Sequence, residues 1–158
     1  MIAFSNVEAS INNENIEEIE ISVGLQFPQE YKDHLLKYNG GQCEPNMFSF
    51  YENNHLTSSC VDWFLAIYDG EFDNLKWYIN LYKVKEKRMP FHIIPIAHDP
   101  GGNLICISCN GYDYGKIYFW DHEKEVDYLI EGDDNYSNLY LIANNLADFF
   151  NGLHTLDE

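Results

Sequence analysis

The sequence predicts an α+β fold in which N-terminal helices come first, a mostly antiparallel sheet follows, and a C-terminal helix packs on that sheet. Apolar residues recur at helical spacing within residues 12–38, and β-branched and aromatic runs separated by turns occupy residues 92–120. A last helical pattern covers residues 144–151. Helices gathered before a run of hairpin-linked strands are typical of α+β proteins.

Two helices are expected near the N-terminus. Apolar residues spaced among glutamates predict an amphipathic helix over residues 12–23, and Gly24 is a suitable C-cap. Pro28 is expected at the first position of the second helix, where the missing N–H of proline costs nothing. Residues 39–41, Asn-Gly-Gly, tolerate left-handed geometry and end this helix. Its apolar face is formed by Tyr31, Leu35 and Tyr38.

The middle of the chain contains two short apolar runs and one further helical pattern. Residues 48–51 and 61–68 are rich in aromatic and β-branched residues, which predicts strands. Apolar residues at helical spacing predict a third helix over residues 73–84.

The second half of the chain is predicted to form most of the sheet. Residues 92–97 and 103–108 read as strands joined by the turn Asp-Pro-Gly-Gly at residues 99–102. Residues 115–120 predict a third strand, antiparallel to the one before it because the connection is short. Residues 139–143 predict a last strand before the closing helix.

The length of 158 residues favours a single domain, predicted over residues 1–158 with a core at about 11–153. Hydrophobic residues make up 46% of the chain and aromatic residues 16%, which disfavours a disordered protein. The net charge is −17, from 26 acidic and 9 basic residues. This charge disfavours nucleic-acid binding and anionic membrane surfaces, both of which need Lys and Arg, and it favours a basic protein partner.

A cytoplasmic location is expected from three observations. The first residues carry neither the basic group nor the apolar run of a signal peptide, and no apolar run is long enough to span a membrane. The four cysteines are too scattered to form a disulfide framework and are expected to be reduced, buried thiols.

Four segments together resemble the signature segments of the SUKH superfamily. They are Leu25–Gly41 (LQFPQEYKDHLLKYNGG), Ile94–Ile107 (IPIAHDPGGNLICI), Gly115–Glu123 (GKIYFWDHE) and Leu146–Phe150 (LADFF). The segments follow the order that the family has, and together they extend over most of the chain. The resemblance implies structural roles for the matching residues, which are Pro28, Tyr31, Leu35, Asn39, Gly40, Gly41, Pro95, Ile96, Gly101, Gly102 and Trp120.

The resemblance implies a binding protein rather than an enzyme, with no catalytic residue, cofactor or metal. Bacterial members of the superfamily are immunity proteins that neutralise a cognate toxin domain, often a nuclease, by direct stoichiometric contact in the cytoplasm. A distant fungal branch regulates cell-wall synthesis through protein contacts. The alternative function is therefore a regulatory or scaffolding adaptor that binds cellular proteins. The oligomeric state stays open.

Two groups of residues offer an enzymatic or metal-binding alternative. His98 and His122 lie beside carboxylates, as in zinc sites and acid–base pairs, although polar groups at a strand end explain them as well. Cys106 and Cys109 have Cys-x-x-Cys spacing, but they end a predicted strand with side chains on opposite faces, and no second such pair exists. Buried thiols are the simpler interpretation.

Glycine pairs, Pro95 and the tryptophans each have a structural explanation. The pairs at 40–41 and 101–102 lack the phosphate-loop pattern and are expected to form turns. Pro95 lies inside an apolar strand and is expected at an edge or a bulge. Large aromatics such as Trp77 could be binding platforms but more often lie in the core.

The acidic loops carry the candidate partner-binding residues. The net charge exceeds the magnitude of roughly 2–8 that solubility asks of a small domain, and the excess opposes folding by self-repulsion. Solvation alone is one interpretation, and attraction of a basic partner is the other. The candidates lie in three predicted loops and are Asp69, Glu71 and Asp73, then Asp121, Glu123, Glu125 and Asp127, then Glu131, Asp133 and Asp134.

Overall fold

The computed structural model describes residues 2–85, 87–124 and 136–156, and it confirms the α+β fold. The helices are α1 (Asn13–Val23), α2 (Gln29–Lys37), α3 (Leu75–Ile79) and α4 (Leu146–Asn151). The strands are β1 (Ala3–Ser5), β2 (Gln42–Glu44), β3 (Met47–Glu52), β4 (His55–Cys60), β5 (Trp63–Phe64), β6 (Ile93–His98), β7 (Leu104–Ser108), β8 (Ile117–Trp120) and β9 (Leu139–Ala143). No helix in these ranges is long and apolar enough to cross a membrane.

The strands form one antiparallel five-stranded sheet in the order β5-β6-β7-β8-β9, and two separate antiparallel pairs, β1-β2 and the hairpin β3-β4. In the large sheet, His98 pairs with Leu104 and Leu104 pairs with Trp120. The end of β6, the start of β7 and the end of β8 therefore meet at the same end of the sheet. The loops that follow β6 and β8 are neighbours in space because of this register.

The large sheet buries apolar side chains on both faces. Ile105 and Ile107 of β7 point into the main core, together with residues of α1, α2 and α4. The intervening Cys106 points to the opposite face, where it joins Trp120 and Met89 in a second buried cluster. Strands covered on both faces read as continuous apolar runs, which is why this part of the sheet is recognisable in the sequence.

Both N-terminal helices form, with a correction at each end of α2, because the helix ends at Lys37 and Tyr38 is its extended C-cap rather than part of its apolar face. Asn12 caps α1 by accepting a hydrogen bond from the backbone N–H of Asn15, and Gly24 ends it in the left-handed conformation with φ 73°. The expectation that Pro28 is the first helical residue of α2 is wrong by one position. Pro28 has extended geometry with ψ 139° and lies at the N-cap, so the helix begins at Gln29.

Two predicted elements of the middle region are shorter than expected. The run 61–68 is a strand only at Trp63–Phe64, because the backbone of Ala66 turns away and its N–H bonds to Asp73 O at 2.8 Å. The predicted helix over 73–84 is α-helical only in α3 and continues as a π-helix over Asn80–Lys85. The spacing of apolar residues predicts a helix here, but it does not distinguish an α-helix from a π-helix that continues it.

The structure also tests the expectations at Pro95 and after β8. The register of β6 against β7 shifts between Pro95 and Ala97, and β6 is paired on both sides, so Pro95 marks a bulge rather than an edge. The predicted end of the third strand at residue 120 is confirmed, because β8 ends at Trp120 and His122–Lys124 forms a 3₁₀ turn.

Candidate functional site

The segment Tyr68–Asn74, named here the acidic loop, carries Asp69, Glu71 and an exposed aromatic side chain. Phe72 is 77% exposed, and Trp77, one turn into the helix that follows, is 52% exposed. Asp69 and Glu71 are exposed on either side of Gly70. Phe72 and Trp77 line the same cleft, and apolar side chains grouped on a surface indicate an interaction site, whereas single exposed ones are normal.

The acidic loop is closed by hydrogen bonds to its own backbone. The side-chain amide of Asn74 donates to Tyr68 O and to Gly70 O, both at 2.9 Å, and its Oδ1 accepts from the N–H of Trp77 at 3.0 Å. Asn74 is thus both the cap of α3 and the bridge across the loop. The hydroxyl of Tyr68 donates to Phe72 O. The loop presents Phe72 on a fixed backbone as a result.

Asn39 of the Asn-Gly-Gly signature holds the start of the acidic loop. Its buried side chain accepts a hydrogen bond from the N–H of Ile67 at 2.8 Å and donates to Ile67 O at 2.8 Å and to Ala9 O at 2.9 Å. The side chain therefore replaces a strand partner for Ile67 and also ties down the N-terminal segment. Such a bidentate contact explains why residues 65–68 are held in place without being part of the sheet.

The two signature glycines lie where no side chain fits. Gly40 has φ +77°, and a Cβ there would stand 2.5 Å from the Cβ of Ala66, next to the acidic loop. Gly41 has φ +89°, and its Cβ would stand 2.4 Å from Ser5 O. Both positions need left-handed backbone and close approach, which only glycine provides. The turn prediction for this pair is confirmed by this geometry.

Asp73 is held by the sheet rather than left free. Its carboxylate accepts a hydrogen bond from His98 Nε2 at 2.6 Å, and His98 lies parallel to the ring of Tyr78, with 6.2 Å between ring centroids. Asp62 lies on the other side of the imidazole, 3.7 Å from Nδ1. Of the three predicted acids in the loop, Asp69 and Glu71 are exposed, and Asp73 fixes the loop to the end of β6.

The second predicted acidic stretch lies at the same end of the sheet. Asp121 directly precedes the 3₁₀ turn after β8 and Glu123 lies within it, and Asp121 Oδ1 accepts a hydrogen bond from the N–H of Glu123 at 3.0 Å. The imidazole of His122 contacts Asn103 Oδ1 at 2.6 Å, which joins this turn to the β6-β7 hairpin. The remaining candidates lie outside the described residues and are Glu125, Asp127, Glu131, Asp133 and Asp134.

An open cleft separates the acidic loop from α3. It has a volume of about 810 Å³ and is lined by the loop together with Trp77 and Tyr78. A second cleft of about 480 Å³ lies between α1 and α3 and is lined by Ile19, Val23 and the other side of Trp77. Trp77 therefore forms a wall between two open clefts, one acidic and one largely apolar.

The described residues offer no metal site and no redox pair. No group of three or more His, Cys, Asp or Glu side chains among them could hold a metal ion, although His98 and His122 both lie near the β6-β7 hairpin. Cys106 and Cys109 are buried in different clusters, as the strand pattern predicts. Burial raises the pKa of both thiols, and it raises the pKa of Cys43 to about 12, so these sulfurs are poor nucleophiles and ligands at neutral pH.

The remaining signature residues support the fold. Asp99 Oδ1 in the β6-β7 turn accepts from the backbone N–H of Gly101 at 2.9 Å and of Asn103 at 2.8 Å, so the carboxylate closes the turn. Gly102 has φ +90°, a left-handed conformation that favours glycine, and a Cβ there would make only ordinary contact with the ring of His122, 3.6 Å from its Cε1. Buried side chains of the signature fill the cores and are Tyr31, Leu35, Ile96 and Trp120.

At the opposite end of the sheet, a buried carboxylate that the sequence did not single out organises the β7-β8 turn. Asp113 accepts hydrogen bonds from the hydroxyls of Ser108 at 2.8 Å, Tyr118 at 2.9 Å and Tyr136 at 2.7 Å. Burial alone would raise the pKa of Asp113, but these three bonds and nearby His92 reverse that effect and hold it below its usual value. This cluster lies far from the acidic loop and has a structural role.

The fold and the signature contacts agree with the comparison against known families. A model of the SMI1/KNR4 family (SUKH-1) matches residues 10–152. The chain belongs to this family. It is also similar to the SPbeta prophage-derived uncharacterized protein YokK of Bacillus subtilis strain 168, with 34% identity over 152 residues that cover 89% of this chain and 73% of YokK. The resemblance seen in the sequence is thereby confirmed.

The residues that sequence reasoning missed are the aromatic ones. The sequence does not predict Phe72 as a contact residue, because a single aromatic residue in a polar stretch forms no periodic pattern. The available signal was its setting: an aromatic side chain in the run Asp-Gly-Glu-Phe-Asp at residues 69–73 has no apolar neighbour in sequence to pack against. The sequence favours a core position for Trp77, because large aromatic residues more often lie in the core. In the structure its side chain is 52% exposed.

Proposed function

We propose that this protein is an immunity protein that neutralises a cognate toxin by direct, stoichiometric binding in the cytoplasm, without enzymatic activity of its own. Membership in the SUKH-1 family and similarity to a prophage-derived protein support a role in conflict between bacteria or phages. A net charge of −17 favours a basic toxin domain, such as a nuclease whose cleft binds phosphates.

The observation that carries the proposal is the pairing of exposed aromatic and acidic side chains on the acidic loop. Large interface anchors are typically aromatic side chains that a partner desolvates, surrounded by polar groups that set orientation and encounter rate. Phe72 fits the anchor role, with Trp77 beside it, while Asp69 and Glu71 provide attraction toward a basic surface. The hydrogen-bonded backbone of the loop lowers the entropy cost of binding, because the loop is ordered before contact.

The proposal predicts a toxin gene next to the gene for this protein, and the toxin domain encoded there provides the test. Co-expression of that domain with this chain should restore growth, and calorimetry should give one-to-one binding. Phe72→Ala should weaken binding by about 30-fold or more, which is the effect of losing a hot-spot side chain. Glu71→Lys should slow association by about tenfold at low salt and have less effect at high salt, because the acids act through long-range attraction.

Two matched variants act as controls. Tyr112 is 88% exposed in the β7-β8 turn, at the opposite end of the sheet, so Tyr112→Ala removes an equally exposed aromatic far from the acidic loop. Glu18 is exposed on α1, so Glu18→Lys makes the same charge change elsewhere. Unchanged affinity in Phe72→Ala, or equal losses in these controls, would refute this placement of the interface. Absence of rescue and of a complex, with capture of cellular proteins instead, would favour the adaptor function.

A further inference from the structure

The β3-β4 hairpin has one open edge. Asn53 and Asn54 have φ values of 50° and 71°, which identifies the two-residue type I′ turn of tight hairpins. This turn makes Glu52 and His55 a hydrogen-bonded pair, and the ladder alternates from there. Within β4, His55, Thr57 and Ser59 thus bond to β3. The N–H and C=O groups that point to the open edge belong to Leu56, Ser58 and Cys60.

Strand β4 itself lacks the sequence features that normally protect an exposed edge. The sequence of β4, His-Leu-Thr-Ser-Ser-Cys, has no proline and no lysine, and its pairing with β3 is regular along the whole strand. Across the three described ranges, β4 has no strand neighbour other than β3. Such an edge is able to accept a further strand in antiparallel pairing.

The hairpin is also a nearly uncharged surface on a strongly acidic protein. In the chain as a whole, 22% of residues are charged, whereas residues 45–61 contain one charged residue, Glu52, which pairs with Lys124. The outward face of the hairpin instead exposes a directly paired Tyr51 and Leu56, at 68% and 64%. A basic partner gains nothing from such a surface, while two copies of an acidic chain repel each other least there.

We propose that β4 pairs with β4 of a second copy of this chain, antiparallel and around a two-fold axis at Ser58. In this register Ser58 lies opposite the partner's Ser58, and Leu56 lies opposite the partner's Cys60. All the outward N–H and C=O groups of the edge are then in register for hydrogen bonding. Asp62, just beyond the strand, comes opposite the partner's Asn54, so these two positions add no repulsion between carboxylates. The two hairpins form one four-stranded sheet.

The contact is small, so the dimer is expected to depend on concentration and to strengthen with salt, which screens the repulsion between the two acidic chains. This dependence is opposite to that expected for toxin binding, which salt weakens. The two surfaces are also separate, because β4 does not include any residue of the acidic loop. The two proposals can therefore fail independently of each other.

Disulfide capture tests the register. Hydrogen-bonded antiparallel pairs have Cα atoms about 5.5 Å apart, within the range of roughly 4.4–6.8 Å that a disulfide spans. Ser58→Cys in a Cys60→Ser background should form a covalent dimer on mild oxidation, several-fold faster than Tyr51→Cys in the same background. Tyr51 is well exposed but lies on β3, so it is about 20 Å from its copy, because three strand spacings combine with an offset of four residues along the strands. Equal rates for the two variants would overturn the proposal.

Sedimentation of the native chain over a concentration series tests the association itself. Ser58→Pro removes an N–H that faces the open edge and leaves the backbone bonds to β3 intact, although the side-chain contact between Ser58 and Ser49 is lost. It should therefore weaken dimerisation at least tenfold without unfolding the protein. Leu56→Glu is a second variant, which adds negative charge to the edge of an already acidic chain and should have the same effect. A monomer at every concentration, or a dimer that neither variant weakens, would overturn the proposal. Protection of the Leu56 and Ser58 amides from hydrogen exchange only when the toxin domain is added would also overturn it.

Discussion

Removal of the Asn39 side chain is the sharpest test of how the acidic loop is supported. Asn39→Ala deletes three part-buried hydrogen bonds, two to the backbone of Ile67 and one to Ala9 O. Each is worth about 1 kcal/mol net, and a buried backbone group left without a partner costs about 1–3 kcal/mol. We therefore expect the free energy of unfolding to fall by about 3–5 kcal/mol, a large share of the total stability of a domain of this size.

Urea unfolding gives the free energy, with Asn46→Ala as the matched control. Asn46 donates one part-buried hydrogen bond, to Val61 O at 3.2 Å, so its removal should cost only about 1 kcal/mol. Native-state hydrogen exchange adds a local measurement, because the Ile67 amide should lose protection in Asn39→Ala and keep it in Asn46→Ala. A loss below about 1 kcal/mol in Asn39→Ala, or an Ile67 amide that stays protected, would refute the role assigned to Asn39.

Two further predictions concern His34 of α2 and Gly40, the first glycine of the Asn-Gly-Gly signature. Burial, and then the charge of Lys37, lowers the pKa of His34 to about 4. In the unfolded chain His34 takes up a proton near pH 6.5, whereas in the folded chain it does so only near pH 4. The free energy of unfolding therefore keeps its full value above pH 6.5 and falls by about 3 kcal/mol as the pH drops to 4. Among the described residues, the buried Nε2 of His34 has no hydrogen-bond partner, so His34→Phe should raise the free energy of unfolding by about 1 kcal/mol at pH 7. The same variant should remove most of the fall in stability between pH 7 and pH 4, measured by urea unfolding. An unchanged pH dependence would contradict the role given to His34. Gly40→Ala should lower the free energy of unfolding by about 2–4 kcal/mol, because it adds left-handed strain and a clash with Ala66. Gly115→Ala is the control, since Gly115 has φ +89° but no described atom within 4 Å of an added Cβ, and it should cost about 1–2 kcal/mol. Thermal unfolding measures both, and equal losses would contradict the close packing at Gly40.

The parts of the fold that could be predicted are those with local signals. The first helix carries its own cap at Asn12 and its own stop at Gly24, and the β6-β7 turn carries Asp99 and the glycines that close it. Both could be read from neighbouring residues alone. Strands β1 and β2 could not, because they pair residues such as Phe4 and Cys43 that are far apart in sequence and have no alternating pattern.

Strand β4 and the end of the run 61–68 were missed for different physical reasons. The side chains of β4 are mostly polar and exposed, so β4 gives no apolar pattern. After Phe64, the backbone looks like a strand in sequence, but the side chain of Asn39 and the carbonyl of Asp73 take the hydrogen bonds that a neighbouring strand would take. A side chain that replaces a strand leaves no trace in the local sequence.

At the candidate site, composition identifies the loop, whereas only contacts distinguish the roles of its carboxylates. Composition was sufficient to select the acidic loop, but it could not distinguish Asp73 from Glu71. Asp73 is occupied by His98, which lies 25 residues away in sequence, whereas the side chain of Glu71 is exposed. Only the three-dimensional register that brings the end of β6 to this loop separates a structural carboxylate from one that is free to attract a partner.

The acidic loop separates the residues that hold it from the residues that it presents. Asn39, Gly40 and Asn74 fix the backbone from the inside, and the backbone carbonyl of Phe72, rather than its ring, accepts the hydroxyl of Tyr68. The side chains of Glu71 and Phe72 therefore contribute little to folding, and replacing either should change stability by less than about 0.5 kcal/mol. A binding protein that must match one particular partner gains from this arrangement, because its contact residues can change while the family's structural signature stays fixed. Large losses of stability on substitution of Phe72 would contradict this division.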